Sequence, residues 1–326
     1  MKKSVSRRDW LRQGSAALGA AALGTGGLAM TRGRTLRAEE GGSSPSKDSA
    51  VPWTISLNTS TLRGHKLPFD AVIDVAAKAG YGGIEPWPDE IDRYVEAGGK
   101  LADAAKRLKD GGLAVTGAIA FFEWMVDDDG RRAKALEEAR RRMDQLAQLG
   151  ATHIAAPPSG DVEKVDLLRA AERYRALLDL SAASGVIPAV EVWGFAKNCF
   201  RLGQCVCVAI ESQHPKACVL PDVYHLYKGG SGLASIRHMS GSLIAGFHLN
   251  DYPADPPREK ITDAHRVYPG DGVAPLREFF RDLKATGYRG AVSIELFNPS
   301  YYRQDPNEVA RTALTKTQAA IRSALA

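Results

Sequence analysis

RAKALEEARRRMDQLAQLGATHIAAPP, residues 132–158, holds the unit whose repetition decides the fold. Its first part, 132–150, is amphipathic with helical period and closes on Gly150. Its last part, THIAAPP at 152–158, is a short apolar run of strand length. Outward in both directions the same alternation recurs, about eight times from Val51 onward. The other strand candidates are TISLNTS at 54–60, YGGIEPW at 81–87, AVTGAIAFF at 114–122, VIPAVEVWG at 186–194, ACVLPDVYH at 217–225, LIAGFHLND at 243–251 and AVSIELF at 291–297. Gly80, Gly111-Gly112, Gly185 and Gly287 stand before the next strand, where a helix ends on a left-handed residue. Eight strand–helix units in one chain predict an α/β fold of the (β/α)8 TIM-barrel type over residues 51–326. An open doubly wound sheet is the alternative. It commonly carries a glycine-rich phosphate loop after the first strand, whereas Asn58-Thr59-Ser60 stands there.

Polar residues collect at the C-terminal ends of these strands. Glu85 ends the second, Glu191 the fifth, Asp222 the sixth, His248 and Asp251 the seventh, and Glu295 the eighth. A carboxylate inside an apolar strand is costly unless it is paired or binds a metal. Strand ends converge on the C-terminal face of a barrel, so Glu191, Asp222, His248 and Glu295 are expected to reach one point. Three carboxylates and an imidazole suit one divalent cation that accepts oxygen ligands. Mn²⁺ or Mg²⁺ is favoured, and Co²⁺ or Zn²⁺ also fits. Asn58, ending the first strand, is expected to line the pocket, Glu85 to meet a substrate hydroxyl or a neighbour, and Asp251 to orient a ligand from behind. Trp87, Phe121, Phe122, Trp124 and Trp193 follow strand ends, where they either stack on a sugar face or pack the barrel top.

The order Glu, Asp, His, Glu on strands five to eight resembles the xylose isomerase-like TIM-barrel superfamily, over residues 51 to about 320. The resemblance implies that Glu191 and Glu295 both hold the metal and move protons. It also implies that His225, three residues after Asp222, contacts substrate. HRVYPGDG, with Arg266 before Pro269-Gly270-Asp271-Gly272, and the Pro-rich DYPADPPREKITDA before it look most like the inosose isomerase branch, which makes Arg266 a substrate-binding candidate. The chain departs from the family in EVWGFAKNCFR at 191–201, with Trp193, Phe195 and Asn198.

This constellation permits proton transfer through an enediolate. Return of the proton to the neighbouring carbon is isomerisation, and return to the other face is epimerisation. Expulsion of a group β to the carbonyl instead makes a lyase, acting on a 3-keto-glycoside or an inosose. A non-catalytic sugar-binding barrel is a further alternative, disfavoured by the complete ligand set. An endonuclease of the same fold needs more metal-binding histidines than seven His allow and a basic surface.

The chain does not supply that surface. Its net charge is +5, but residues 1–38 hold eight of the 43 Lys/Arg and one of the 38 Asp/Glu, so the remainder is slightly acidic. No nucleic-acid partner is expected. The basic start MKKSVSRRDWLRQG, with Arg7-Arg8 before Trp10-Leu11, and the Gly/Ala-rich stretch Ser15 to Met30 resemble a twin-arginine signal peptide over 1–38. That reading implies export to the periplasm and the twin-arginine translocase as a transient partner. The apolar stretch is too short and weakly apolar for a stable membrane span. Residues 39–50 (EEGGSSPSKDSA) read as a linker. Cys199, Cys205, Cys207 and Cys218 show no C-x-x-C spacing, so free buried thiols are expected, with a disulfide left open by export.

Overall fold

The computed structural model describes residues 51–160, 162–164 and 166–326. The expected export signal at 1–38 and linker at 39–50 lie outside the described residues. The strands are β1 Thr54–Asn58, β2 Gly83–Glu85, β3 Ala114–Val115, β4 His153–Ala156, β5 Ile187–Glu191, β6 Val219–Leu220, β7 Phe247–Leu249 and β8 Ala291–Ile294. They form two parallel arcs, in the order β3-β2-β1-β8-β7 and β4-β5-β6. Parallel bridges Val219–Ile244 and Asp222–His248 join β6 to β7. At the other seam Ala155 N donates to Ala118 O at 2.8 Å. The arcs therefore close into the expected parallel (β/α)8 barrel.

The strands are shorter than the apolar runs that announced them. AVTGAIAFF yields only Ala114–Val115 as strand. Ala118, Ile119, Ala120, Phe122, Trp124, Met125 and Val126 are buried all the same, without a continuous ladder. An apolar run reports burial, and burial at the end of a short strand outlasts its hydrogen bonds.

Helices cover the barrel because each has one apolar stripe. In Leu276–Ala285 the stripe is Leu276, Phe279, Phe280 and Leu283, at the spacing of one helical face. The long helix Asp129–Ala147 starts where the Asp128 carboxylate accepts from Arg131 N at 2.7 Å. Gly80 ends the helix Phe69–Ala79 at φ 91°, a conformation cheap only for glycine. In the pair Gly111-Gly112 that role falls to Gly112, at φ 68°. Inside the barrel, small side chains (Ala155, Ala189 and Cys218, with Ile119 and Leu220) fill the space beneath the strand ends. Among the described residues no helix is long and apolar enough to cross a membrane.

Candidate active site

The register of β5 to β8 brings the polar strand ends together. His248 lies beside Asp222 on one side and Ser293 on the other, and Glu295 N donates to Leu249 O at 3.0 Å. Alternation then turns His248, Asn250, Ser293 and Glu295 to one face. All four predicted ligands are buried: Asp222 and His248 completely, Glu191 and Glu295 at 3% exposure. His248 Nδ1 is the centre of the group. It lies 3.6 Å from Glu191 Oε1, 3.8 Å from Asp222 Oδ2 and 3.5 Å from Glu295 Oε2. Asp222, His248 and Glu295 bring one ligand atom each within 4.8 Å of one another. His248 Nδ1 and Glu191 Oε2 have no hydrogen-bond partner among the described residues. Buried polar atoms are rarely left so. Three carboxylates and an imidazole nitrogen around two orphaned atoms fit a divalent cation, with Glu191, Asp222, His248 Nδ1 and Glu295 as the side chains able to hold it.

Glu85 and Asn58 sit elsewhere than among substrate hydroxyls. Glu85 is buried beneath the imidazole, with Oε2 3.1 Å and Oε1 3.2 Å from His248 Nε2. A proton on Nε2 bonded to Glu85 leaves Nδ1 with a free lone pair, the tautomer that ligates a metal. Asn58 ties this carboxylate to the next: its Nδ2 donates to Glu85 Oε2 at 3.1 Å and to Glu295 Oε1 at 3.3 Å. Its Oδ1 accepts from Ser60 N and from Trp87 Nε1. Of the two roles expected for Glu85, pairing with a neighbour is the one seen, and Asn58 uses its amide on Glu85, Glu295, Ser60 and Trp87.

Asp222 also starts the helix Val223–Gly229. Its Oδ1 accepts from His225 N at 2.8 Å, so the three-residue spacing of Asp222 and His225 is that of an N-cap and its third helical residue. Arg266 is buried at 1% exposure and bonds Asp222 Oδ2 at 3.0 Å, Glu295 Oε2 at 2.6 Å and, through Nε and Nη2, Asp263 Oδ1. Its Nη2 lies 3.0 Å from His225 Nε2. Guanidinium only donates, so His225 Nε2 accepts and Nδ1 carries the ring proton. That Nδ1 has no partner among the described residues. Arg266, expected on substrate, is fully engaged in holding two candidate ligands and His225.

Asp251 is a second correction. Its carboxylate accepts from the backbone amides of Tyr252, Gly270, Gly272 and Ala274, at 2.8 to 3.1 Å, and touches no candidate ligand. Its side chain clamps the Pro-Gly-x-Gly loop that follows Arg266, while its backbone pairs with Val267. A Cβ on Gly272 would come 2.3 Å from Asp251 Oδ1, which explains the glycine there. Asn250 and Asp263 escaped the sequence reading. Asn250 Nδ2 donates to Asp222 Oδ2 at 3.1 Å. Its place two residues after His248, on the same strand face, was the available signal.

Burial governs the protonation of the group. It pushes Asp222 up to about 6, against the opposing pull of Arg266, and raises Glu191 and Glu295 as well. For Glu85 burial acts upward too, but His248 and the hydrogen bonds around it outweigh burial and hold the carboxyl below its usual range. Burial disfavours a charged His248, yet Glu85 and Glu295 raise it far above an ordinary histidine. His225 is driven low by burial and by Arg266, so it is neutral.

Above the carboxylates runs a collar of aromatic rings. Phe297 meets Trp87 (centroids 6.1 Å), Trp87 meets Phe121 (6.1 Å), Phe121 meets Trp193 (5.4 Å), and Trp193 meets Phe195 (6.4 Å). Trp193 is half-buried at this rim. Phe122 and Trp124 belong instead to the core. The cysteines are free thiols, with Cys199 and Cys205 buried beside each other.

Residues 73–320 match the family described as xylose isomerase-like TIM barrel, and the chain belongs to that family. The chain is 28% identical to an inosose isomerase of Bacillus velezensis, over 80% of this chain and 94% of that protein. It is 26% identical to a 3-dehydroshikimate dehydratase of Pseudomonas putida, over 70% of this chain and 36% of that longer protein. Among solved structures, the IOLI protein with a bound zinc atom has the same fold, with a TM-score of 0.77 at 23% identity, covering 83% of this chain and 98% of that one.

Proposed function

We propose that this chain is a divalent-metal-dependent isomerase or epimerase of a sugar or keto-inositol, working by proton transfer through an enediolate. The observation that carries this reading is the convergence of three buried carboxylates on His248 Nδ1. The inosose isomerase relative and the zinc-holding structure support it. A divalent ion at this site supplies the positive charge that stabilises an enediolate's developing negative charge.

The chain's own groups divide the remaining work. Glu191 Oε2 is the unpartnered carboxylate oxygen, so Glu191 is the base that removes the proton beside the substrate carbonyl. Burial raises its pKa and a bound cation would lower it, so the two together set its strength as a base. Glu295 has one oxygen on Asn58 and one on Arg266, which fix its orientation for returning the proton to the other face or the neighbouring carbon. His225 Nδ1–H is free to donate to a substrate oxygen, its tautomer set by Arg266.

A second reading, elimination, is favoured by the dehydratase relative. After the same proton abstraction, the electron pair expels a leaving group β to the carbonyl, giving an unsaturated ketone. One experiment tests the shared step. Ketoses, inososes and 3-keto-glycosides are incubated in heavy water with the metal-loaded protein, and the carbon-bound proton is followed by NMR. Exchange is expected in the wild type and a loss of about 10²- to 10⁴-fold in Glu191→Gln and Glu295→Gln. Full exchange in either variant removes that glutamate from the mechanism. No exchange with any candidate in the wild type leaves a binding barrel.

A further inference from the structure

We infer that the aromatic collar is a subsite for a second, uncharged ring, so that the substrate is a glycoside or other two-ring compound and not a phosphorylated monosaccharide. The inference rests on the reading that the reacting ring sits at the carboxylates. The collar runs from that layer to solvent. Trp87 Nε1 is tied through Asn58 to Glu295, while Phe121, in contact with both Trp87 and Trp193, is 48% exposed. Among the described residues, Phe121 is the only aromatic of the exposed large hydrophobic side chains. A ring reacting at the carboxylates therefore leaves whatever it carries against Phe121 and Trp193. Flat aromatic faces favour another flat, apolar face, either an aryl ring or the C–H face of a sugar.

Charge decides against phosphate. Among the described residues three cations lie over the rings of the collar, and each is already engaged. Arg63 lies over Trp87 but forms a two-point ion pair with Asp89 at 3.0 and 2.7 Å. Lys228 lies over Phe195 and donates to the carbonyls of Arg258, Glu259 and Ile261. Arg266, over Phe297, is held by Asp222, Asp263 and Glu295. A phosphate would have to break one of these sets before it gained a partner.

The test uses ligands that carry no exchangeable ketone, so it is read independently of the proposed chemistry. Methyl β-D-glucopyranoside, phenyl β-D-glucopyranoside, cellobiose and glucose 6-phosphate are titrated into the metal-loaded protein by ligand-observed NMR. The expected result is binding of the phenyl glycoside, cellobiose or both about tenfold tighter than the methyl glycoside. The pair separates an aryl second ring from a sugar second ring. Phe121→Ala, a change at an exposed position that leaves the core intact, is expected to bring the preference to within about twofold with the methyl glycoside unaffected. Trp193→Ala is expected to act the same way. Equal or absent binding of the two-ring ligands, tighter binding of glucose 6-phosphate, or a preference that survives both substitutions overturns the subsite. Failure of proton exchange with every ketone, beside an intact two-ring preference, overturns the proposed chemistry alone.

Discussion

At the residue scale the site is a set of charges that balance one another through His248. Glu85 holds Nε2, and three carboxylates surround Nδ1. If Glu85 sets the tautomer, Glu85→Ala is expected to weaken divalent-metal affinity by about 10- to 100-fold without unfolding the protein, read by competition with a chelating dye. The protonation of Asp222 sets a second expectation. Its carboxyl is pushed up to about 6 by burial, and a ligand must be deprotonated to bind. His248, held far above an ordinary histidine by Glu85 and Glu295, must lose its ring proton as well, so metal binding is expected to release protons at pH 6 and above, and affinity to fall steadily as pH is lowered. Calorimetry in two buffers of different ionisation enthalpy measures the release. A heat independent of the buffer would show that the protons are already gone.

At the element scale, short segments fix the angles at which these residues meet. The helix Val223–Gly229 is capped by Asp222, which sets His225 relative to a candidate ligand. The loop after Arg266 is clamped by Asp251 through four backbone amides. The two kinds of role predict different losses. Asp251→Ala leaves one buried and three part-buried amide bonds unmade and is expected to cost about 1–3 kcal/mol in denaturant unfolding. Metal affinity of the folded variant is expected to stay within about twofold of the wild type, since Asp251 touches no ligand. A large loss of affinity at unchanged stability would restore Asp251 to the metal's surroundings. The helix Leu276–Ala285 shows the ordinary case of packing. Phe279 is buried against Phe247 of β7, and Phe279→Ala is expected to cost about 3–5 kcal/mol and to reach the site only through β7.

At the scale of the whole molecule, the barrel explains why residues 85, 191, 222, 248 and 295 form one group. Glu85 and Glu191 end their strands, His248 stands one residue before the end of β7, Glu295 one residue after β8 and Asp222 two after β6, and parallel strands end on one face. The N-terminal segment adds a proposal about where this chemistry takes place. Arg7-Arg8 followed by an apolar stretch points to twin-arginine export, a route for proteins already folded. Replacing both arginines by Lys is expected to hold the protein in the cytoplasm, as shown by cell fractionation. Unchanged export would exclude that route.

The sequence by itself determined the barrel and the candidate ligands, because both depend on local regularities: strand-length apolar runs, glycines that end helices, and acids whose cost inside a strand demands a partner. It could not tell which groups Glu85, Asn58, Arg266 and Asp251 serve. Glu85, Asn58 and Asp251 were legible as polar residues near strand ends and Arg266 by its place before Pro-Gly-x-Gly, but for three of them a partner lies far along the chain: Glu85 meets His248, Asn58 meets Glu295, and Arg266 meets Asp222. Those pairings follow from strand register and barrel closure, which set distances of about 3 Å between residues that periodicity leaves unrelated. The aromatic collar was decided in the same way. Trp87, Phe121, Trp193 and Phe297 come from four different strand ends, and only closure of the barrel turns separate apolar residues into one continuous surface above the carboxylates.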